Sequence, residues 1–93
     1  MKNDDLLDIA LERQNDIRQA YQLHEEHRPV IMFDIQEQRL YAYPYQDYKA
    51  SLSQRSQASL EKQYEEAGAD NKIIVFVKDN VTKRLMSFSL DNV

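Results

Sequence analysis

"KIIVFVK", residues Lys72 to Lys78, sets an unbroken apolar run between two lysines. The run is short, β-branched and free of glycine and proline, so it reads as a strand. Strand side chains alternate between faces, and Ile73 to Val77 therefore offers apolar groups to both faces of a sheet whatever its register. "VIMFDI", Val30 to Ile35, does the same. A sheet with helices on one side only should alternate apolar and polar residues, so these two strands imply that both faces are covered.

Around each run the pattern extends to a hairpin. After Lys78 come a turn at Asp79-Asn80 and a returning strand, Arg84 to Leu90, in which Met86, Phe88 and Leu90 alternate with Ser87 and Ser89. After Ile35 come a polar turn, Gln36 to Gln38, and a returning strand, Arg39 to Tyr43. Each hairpin is preceded by an amphipathic helix. The first, roughly Asp4 to His27, aligns Leu6, Ile9, Ala10, Ile17, Ala20, Tyr21 and His24. Asp4, Asp5 and Asp8 suit its positive end, His24, His27 and Arg28 its negative end, and Pro29 stops it. The second starts at Pro44 and aligns Tyr45, Tyr48, Leu52, Ser56, Leu60, Gln63, Tyr64 and Ala67 before a Gly68 cap. Serines between 51 and 59 weaken it, and Ser51 with Gln54 has the spacing of a capping box, so a break near Ser51 is an alternative to one helix.

The order is α-β-β-α-β-β. Ile17, Tyr21, Ile31 and Phe33 recur as Leu60, Tyr64, Ile74 and Phe76, and Arg39-Leu40 recurs as Arg84-Leu85, which suggests an αββ pseudo-repeat with halves at about 4–43 and 44–90. Duplication and shared packing demands explain the matches equally well. The expected architecture is a single α+β domain of two layers: a four-stranded antiparallel sheet with both helices on one face.

Composition agrees with a folded domain: 93 residues, 42% hydrophobic and 30% charged, with one glycine and two prolines. Absence of cysteine excludes disulfides and thiolate sites, which makes the cytoplasm the expected location. No apolar run is long enough to span a bilayer and no export signal is read, so no membrane association is expected. Net charge is −4, but the C-terminal segment holds Lys72, Lys78, Lys83 and Arg84 against Asp79 and Asp91. An acidic chain repels phosphate at long range while leaving a local contact open there.

"YAYPYQDY", Tyr41 to Tyr48, is a junction between strand and helix. Tyr41 and Tyr43 share a sheet face, opposite to Leu40 and Ala42. With both helices on the other side, the face bearing Val30, Met32, Tyr41 and Tyr43 is left for a second copy or another protein, and such residues are enriched at interfaces. The expected role is that of a non-enzymatic interaction or accessory protein. The alternative is a nucleic-acid-associated regulator that uses Lys78, Lys83 and Arg84, with the tyrosines as stacking groups.

Catalytic and cofactor chemistry finds little support. His24 and His27 in "HEEH" lie three apart on a helix, and no third ligand is evident. Asp34 and Lys78 at strand ends resemble the carboxylate and lysine of metal-dependent nucleases, but "VFVK" lacks the acidic residue two before the lysine. A chain with one glycine has no phosphate loop, and its serines have no glycine elbow. No cofactor and no small-molecule substrate are inferred.

Overall fold

A computed structural model describes residues 3–67 and 72–91, and side chains at 6–66 and 72–91. The Gly68 cap and the carboxylates of Asp4 and Asp5 lie outside these described residues. The elements are α1 (Asn3–Leu23), a 3-10 turn (Glu25–His27), β1 (Val30–Asp34), β2 (Arg39–Tyr43), α2 (Tyr45–Ala50), α3 (Gln54–Ala67), β3 (Lys72–Asp79) and β4 (Arg84–Asp91). Three helices with a four-stranded mixed sheet make the class α+β.

Helix α1 is shorter than its apolar stripe suggests. Proline disfavours the helical conformation in the residue before it. Arg28 leaves the helical conformation with a left-handed φ of 48°, and the chain between Leu23 and Pro29 tightens into the 3-10 turn.

Strand order is β2-β1-β3-β4. Both hairpins pair antiparallel, but the central seam is parallel, with Ile31 opposite Val75 and Asp34 opposite Lys78. This corrects the all-antiparallel expectation, and the cause is the broken second helix. At 1.5 Å per residue an unbroken helix over 45–67 would carry the chain about 34 Å, past the far end of the sheet, and deliver β3 antiparallel to β1. Instead α2 ends at Ala50, and α3 runs back beside it. Tyr45 meets Tyr64 with ring centroids 4.8 Å apart, and Lys49 pairs with Glu61. Serines fix the reversal: the Ser51 hydroxyl donates to the Tyr48 carbonyl at 2.6 Å, and Ser53 Oγ accepts the Ser56 N–H at 3.3 Å. The N-cap of α3 is thus Ser53, two residues beyond the expected Ser51.

The two-layer expectation is also corrected. Ile17 and Tyr21 of α1 pack on Ile31, Ile73 and Val75, with Leu40, Ala42, Phe88 and Leu90 around them. On the opposite face Leu60 of α3 packs on Val30, Met32, Ile74 and Phe76, joined by Tyr45, Tyr48, Leu52 and Tyr64. Helices therefore cover both faces, as the unalternated strands require. The recurrent residues take corresponding places: Ile17, Tyr21 and Ile31 on the α1 side, Leu60, Tyr64 and Ile74 on the α3 side.

At the end of the sheet near both turns the two hairpins are tied together. Asp34 accepts the Glu37 N–H at 3.0 Å and the Asn80 side-chain amide at 3.1 Å. Gln36 donates to Asp79 at 2.9 Å and accepts the Asn80 N–H at 2.8 Å, while the Val81 N–H reaches Asp79 at 3.0 Å. Chiefly through the Gln36 bond, Asp79 is held ionised below the usual carboxylate range. A carboxyl whose pKa is depressed by folding adds stability above its unfolded pKa and loses it as pH falls through the folded value. Asp79→Asn should therefore destabilise the protein at neutral pH and weaken the loss of stability below about pH 4. Thermal melts from neutral to acid pH measure both effects, and an unchanged acid limb in the variant would contradict this assignment.

Candidate functional site

Because α2 is short and α3 returns over β3, the sheet face between α2 and the β3–β4 hairpin is only partly roofed. The opening is a groove of about 660 Å³. Met32, Tyr43, Tyr48 and Leu85 form its apolar surfaces, Asp47 and Ser51 line the helical side, and Lys78, Lys83 and Arg84 line the hairpin side. Leu85 is 52% exposed, a large apolar side chain left in solvent at the groove margin. A smaller depression continues from Leu85 under α3, along Leu52, Leu60 and Phe76.

Aromatic rings build the inner wall. Tyr41 and Tyr43, two apart on β2, stack with centroids 6.1 Å apart at 15°, and Tyr43 stacks on Tyr48 of α2 at 5.9 Å and 27°. Tyr48 then leans on Phe76 of β3 at 6.1 Å. The row fixes how α2 sits on the sheet. Tyr43, 38% exposed, stacks with two rings and lines the groove. Tyr41 donates its hydroxyl to the Glu37 carboxylate, which raises its pKa, and burial raises that of Tyr48. Both phenols stay protonated donors at neutral pH.

The cations are uncommitted. Among the described residues none of Lys78, Lys83 and Arg84 forms an ion pair, whereas Lys49, Lys62 and Lys72 each do. All three are exposed. Lys83 is placed by the turn, where it adopts a left-handed φ of 60°, just as Gln38 does at 56° in the other hairpin. Of the groove's carboxylates, Asp79 is engaged by the turn hydrogen bonds, and Asp47 stands on α2.

Two sets of residues that were separate in the sequence thus meet here, Met32 and Tyr43 from one and Lys78, Lys83 and Arg84 from the other. The rest of the expected interface does not. Val30 is 0% exposed and Met32 9%, both packed against Leu60 of α3, so the broad free face is corrected to a groove that only Met32 floors. Tyr41 borders an adjoining hollow with Asp34 and Glu37, which shares Met32, Tyr43 and Lys78 with the groove. Tyr48 and Leu85 were not singled out. Tyr48 belonged to a helical stripe, and nothing local said that the stripe would lie beside the second hairpin.

The histidine reading is corrected as well. α1 ends at Leu23, and His24 and His27 flank or occupy the 3-10 turn instead of sharing an α-helical face. No group of three or more histidines and carboxylates able to hold a metal occurs among the described residues. The Asp34 carboxylate is taken up by its own turn and by Asn80. The Tyr64 hydroxyl is buried without a hydrogen-bond partner, and burial drives its pKa well above the usual phenol value. Among the described residues no helix is long and apolar enough to cross a membrane. No protein-family model, curated protein or solved structure matches the chain.

Proposed function

We propose that this chain is a small, non-enzymatic binding module that receives an acidic segment of a partner protein in the groove between α2 and the β3–β4 hairpin. One observation carries the reading: Lys78, Lys83 and Arg84, which form no ion pair among the described residues, edge an apolar and aromatic groove in a chain of net charge −4. A partner segment with apolar side chains flanked by Asp or Glu matches that surface in both respects. Its apolar groups would cover Met32, Tyr48 and Leu85, and its carboxylates would meet the three cations and steer the encounter. A cysteine-free chain fits work in the cytoplasm.

Single-stranded nucleic acid is the second reading, supported by the same meeting of Tyr43 with the cations. It is the weaker one. Base stacking needs a free ring face, and Tyr43 already stacks with both Tyr41 and Tyr48.

Peptide phage display against the protein tests the proposal. Enriched sequences should combine acidic and apolar residues, and a synthetic peptide of that type should bind at least about tenfold more weakly to the Lys83→Glu, Arg84→Glu double variant, a loss of about 1.4 kcal/mol or more. Enrichment equal on the protein and on the variant would overturn it. A labelled oligonucleotide that binds at low salt and is released steeply as salt rises would favour the second reading.

A further inference from the structure

A second surface concerns the opposite edge of the sheet from β2. β4 is an edge strand of eight residues, paired with β3 along its whole length from Arg84 to Asp91. Its other side faces no described strand. Proteins usually protect such an edge by keeping it short, by a bulge or proline, or by charges along it. β2 is protected in this way, with five residues ending at Pro44. β4 has no proline and no glycine, and its charges stand only at the ends: Arg84 at the start, just after Lys83 of the turn, and Asp91 at the finish. Between them the side chains are Leu85, Met86, Ser87, Phe88, Ser89 and Leu90.

We propose that β4 pairs antiparallel with β4 of a second copy, joining two sheets across a two-fold axis at Ser87. The axis must pass through a residue position, because a two-fold normal to the sheet keeps each side chain on its own face, and residues opposite one another in an antiparallel pair share a face. Centred on Ser87, the pairing sets Met86 opposite Phe88 of the other copy on the α1 side. Phe88 and Leu90 there are half-buried against the α1 core, and a neighbouring strand completes their cover. On the other side Leu85 faces a serine. At the ends Arg84 of each strand stands opposite Leu90 of the other, and Lys83, in the turn just before the strand, approaches Asp91, so the basic start of one copy lies near the acidic side chain of the other. A parallel pairing would set like charges together. In the same copy Lys72 already pairs with the Asp91 carboxylate and Arg18 donates to the Asp91 carbonyl at 3.2 Å, and the carboxylate keeps lone pairs for a further donor. Ser87 and Ser89 are small and exposed, and the one contact of Ser87, accepting the Gln63 amide at 2.7 Å, lies toward α3 and leaves the strand edge open. The strand start at Lys83 to Leu85 borders the groove as well, whereas Ser87 at the axis does not line it.

Sedimentation from about 10 µM to about 1 mM protein should show a monomer–dimer equilibrium. Ser87→Lys, which sets two ammonium groups face to face at the axis, should weaken dimerisation at least about tenfold without lowering the melting temperature of the dilute protein. Since the chain has no cysteine, Ser87→Cys provides a direct reading of register. Under oxidation it should give a disulfide-linked dimer far faster than Arg55→Cys on the exposed side of α3. A strict monomer at the highest concentration overturns the proposal, whether or not a foreign extended peptide binds the edge. So does a dimer in which Ser87→Cys cross-links no faster than the control, which would place the interface elsewhere.

Discussion

Val30→Asp should leave the chain unfolded at every concentration. Val30 is wholly buried beneath α3, and the new carboxylate would have no partner there. Losing the burial of one valine costs about 2 kcal/mol, and an unpaired charge in an apolar interior adds several more. Chains of this size are stable by only about 5–14 kcal/mol, so the substitution removes most or all of the margin. Had the face bearing Val30 been an open docking surface, the same change would yield a folded monomer with better solubility. Circular dichroism separates the outcomes, and a cooperative native-like melt for the variant would refute the covering of this face by α2 and α3.

Ile17→Ala and Leu60→Ala test the layering from both sides. Each side chain is buried, Ile17 under α1 and Leu60 under α3, and each truncation should cost about 2–5 kcal/mol in transfer energy and cavity. The sheet separates them. Sites without shared partners combine to within about 0.5 kcal/mol, so the double variant should lose the plain sum and stand at the brink of unfolding. Urea titrations measure all three, with an unchanged slope confirming that the native state is lost as one unit. A coupling above about 1 kcal/mol would mean that the two residues share a core, as in a two-layer packing.

The sequence made the covering of both faces legible, since Ile73 to Val77 and Val30 to Phe33 allow no polar side. What was not legible was the cover itself. The helical stripe from Tyr45 to Ala67 counts as one helix, which leaves too little chain for a third layer. Two serines, at 51 and 53, were both competent to end or start a helix, and choosing between a kink and a full reversal depends on Tyr45 reaching Tyr64 and Lys49 reaching Glu61, which are tertiary contacts. The direction of β3 followed from the same choice. Hairpin partners and turn positions were legible because they are local, whereas the parallel seam is not. Likewise Tyr43 and the cations Lys78, Lys83 and Arg84 were each readable as surface features. Their union in one groove needed the reversal that sets α2 beside the second hairpin.

That reversal also governs the order in which the molecule can assemble. Each hairpin closes over a short turn and can zip within microseconds, but Ile31 reaches Val75 only after β2, α2 and α3 have been ordered between them. The entropy of that long closure must be spent before the seam returns any burial. Until it closes, β1 and β3 carry bare inner edges along their most apolar segments, so the hazard of misassociation during synthesis belongs to the strands that are best protected once folding is done.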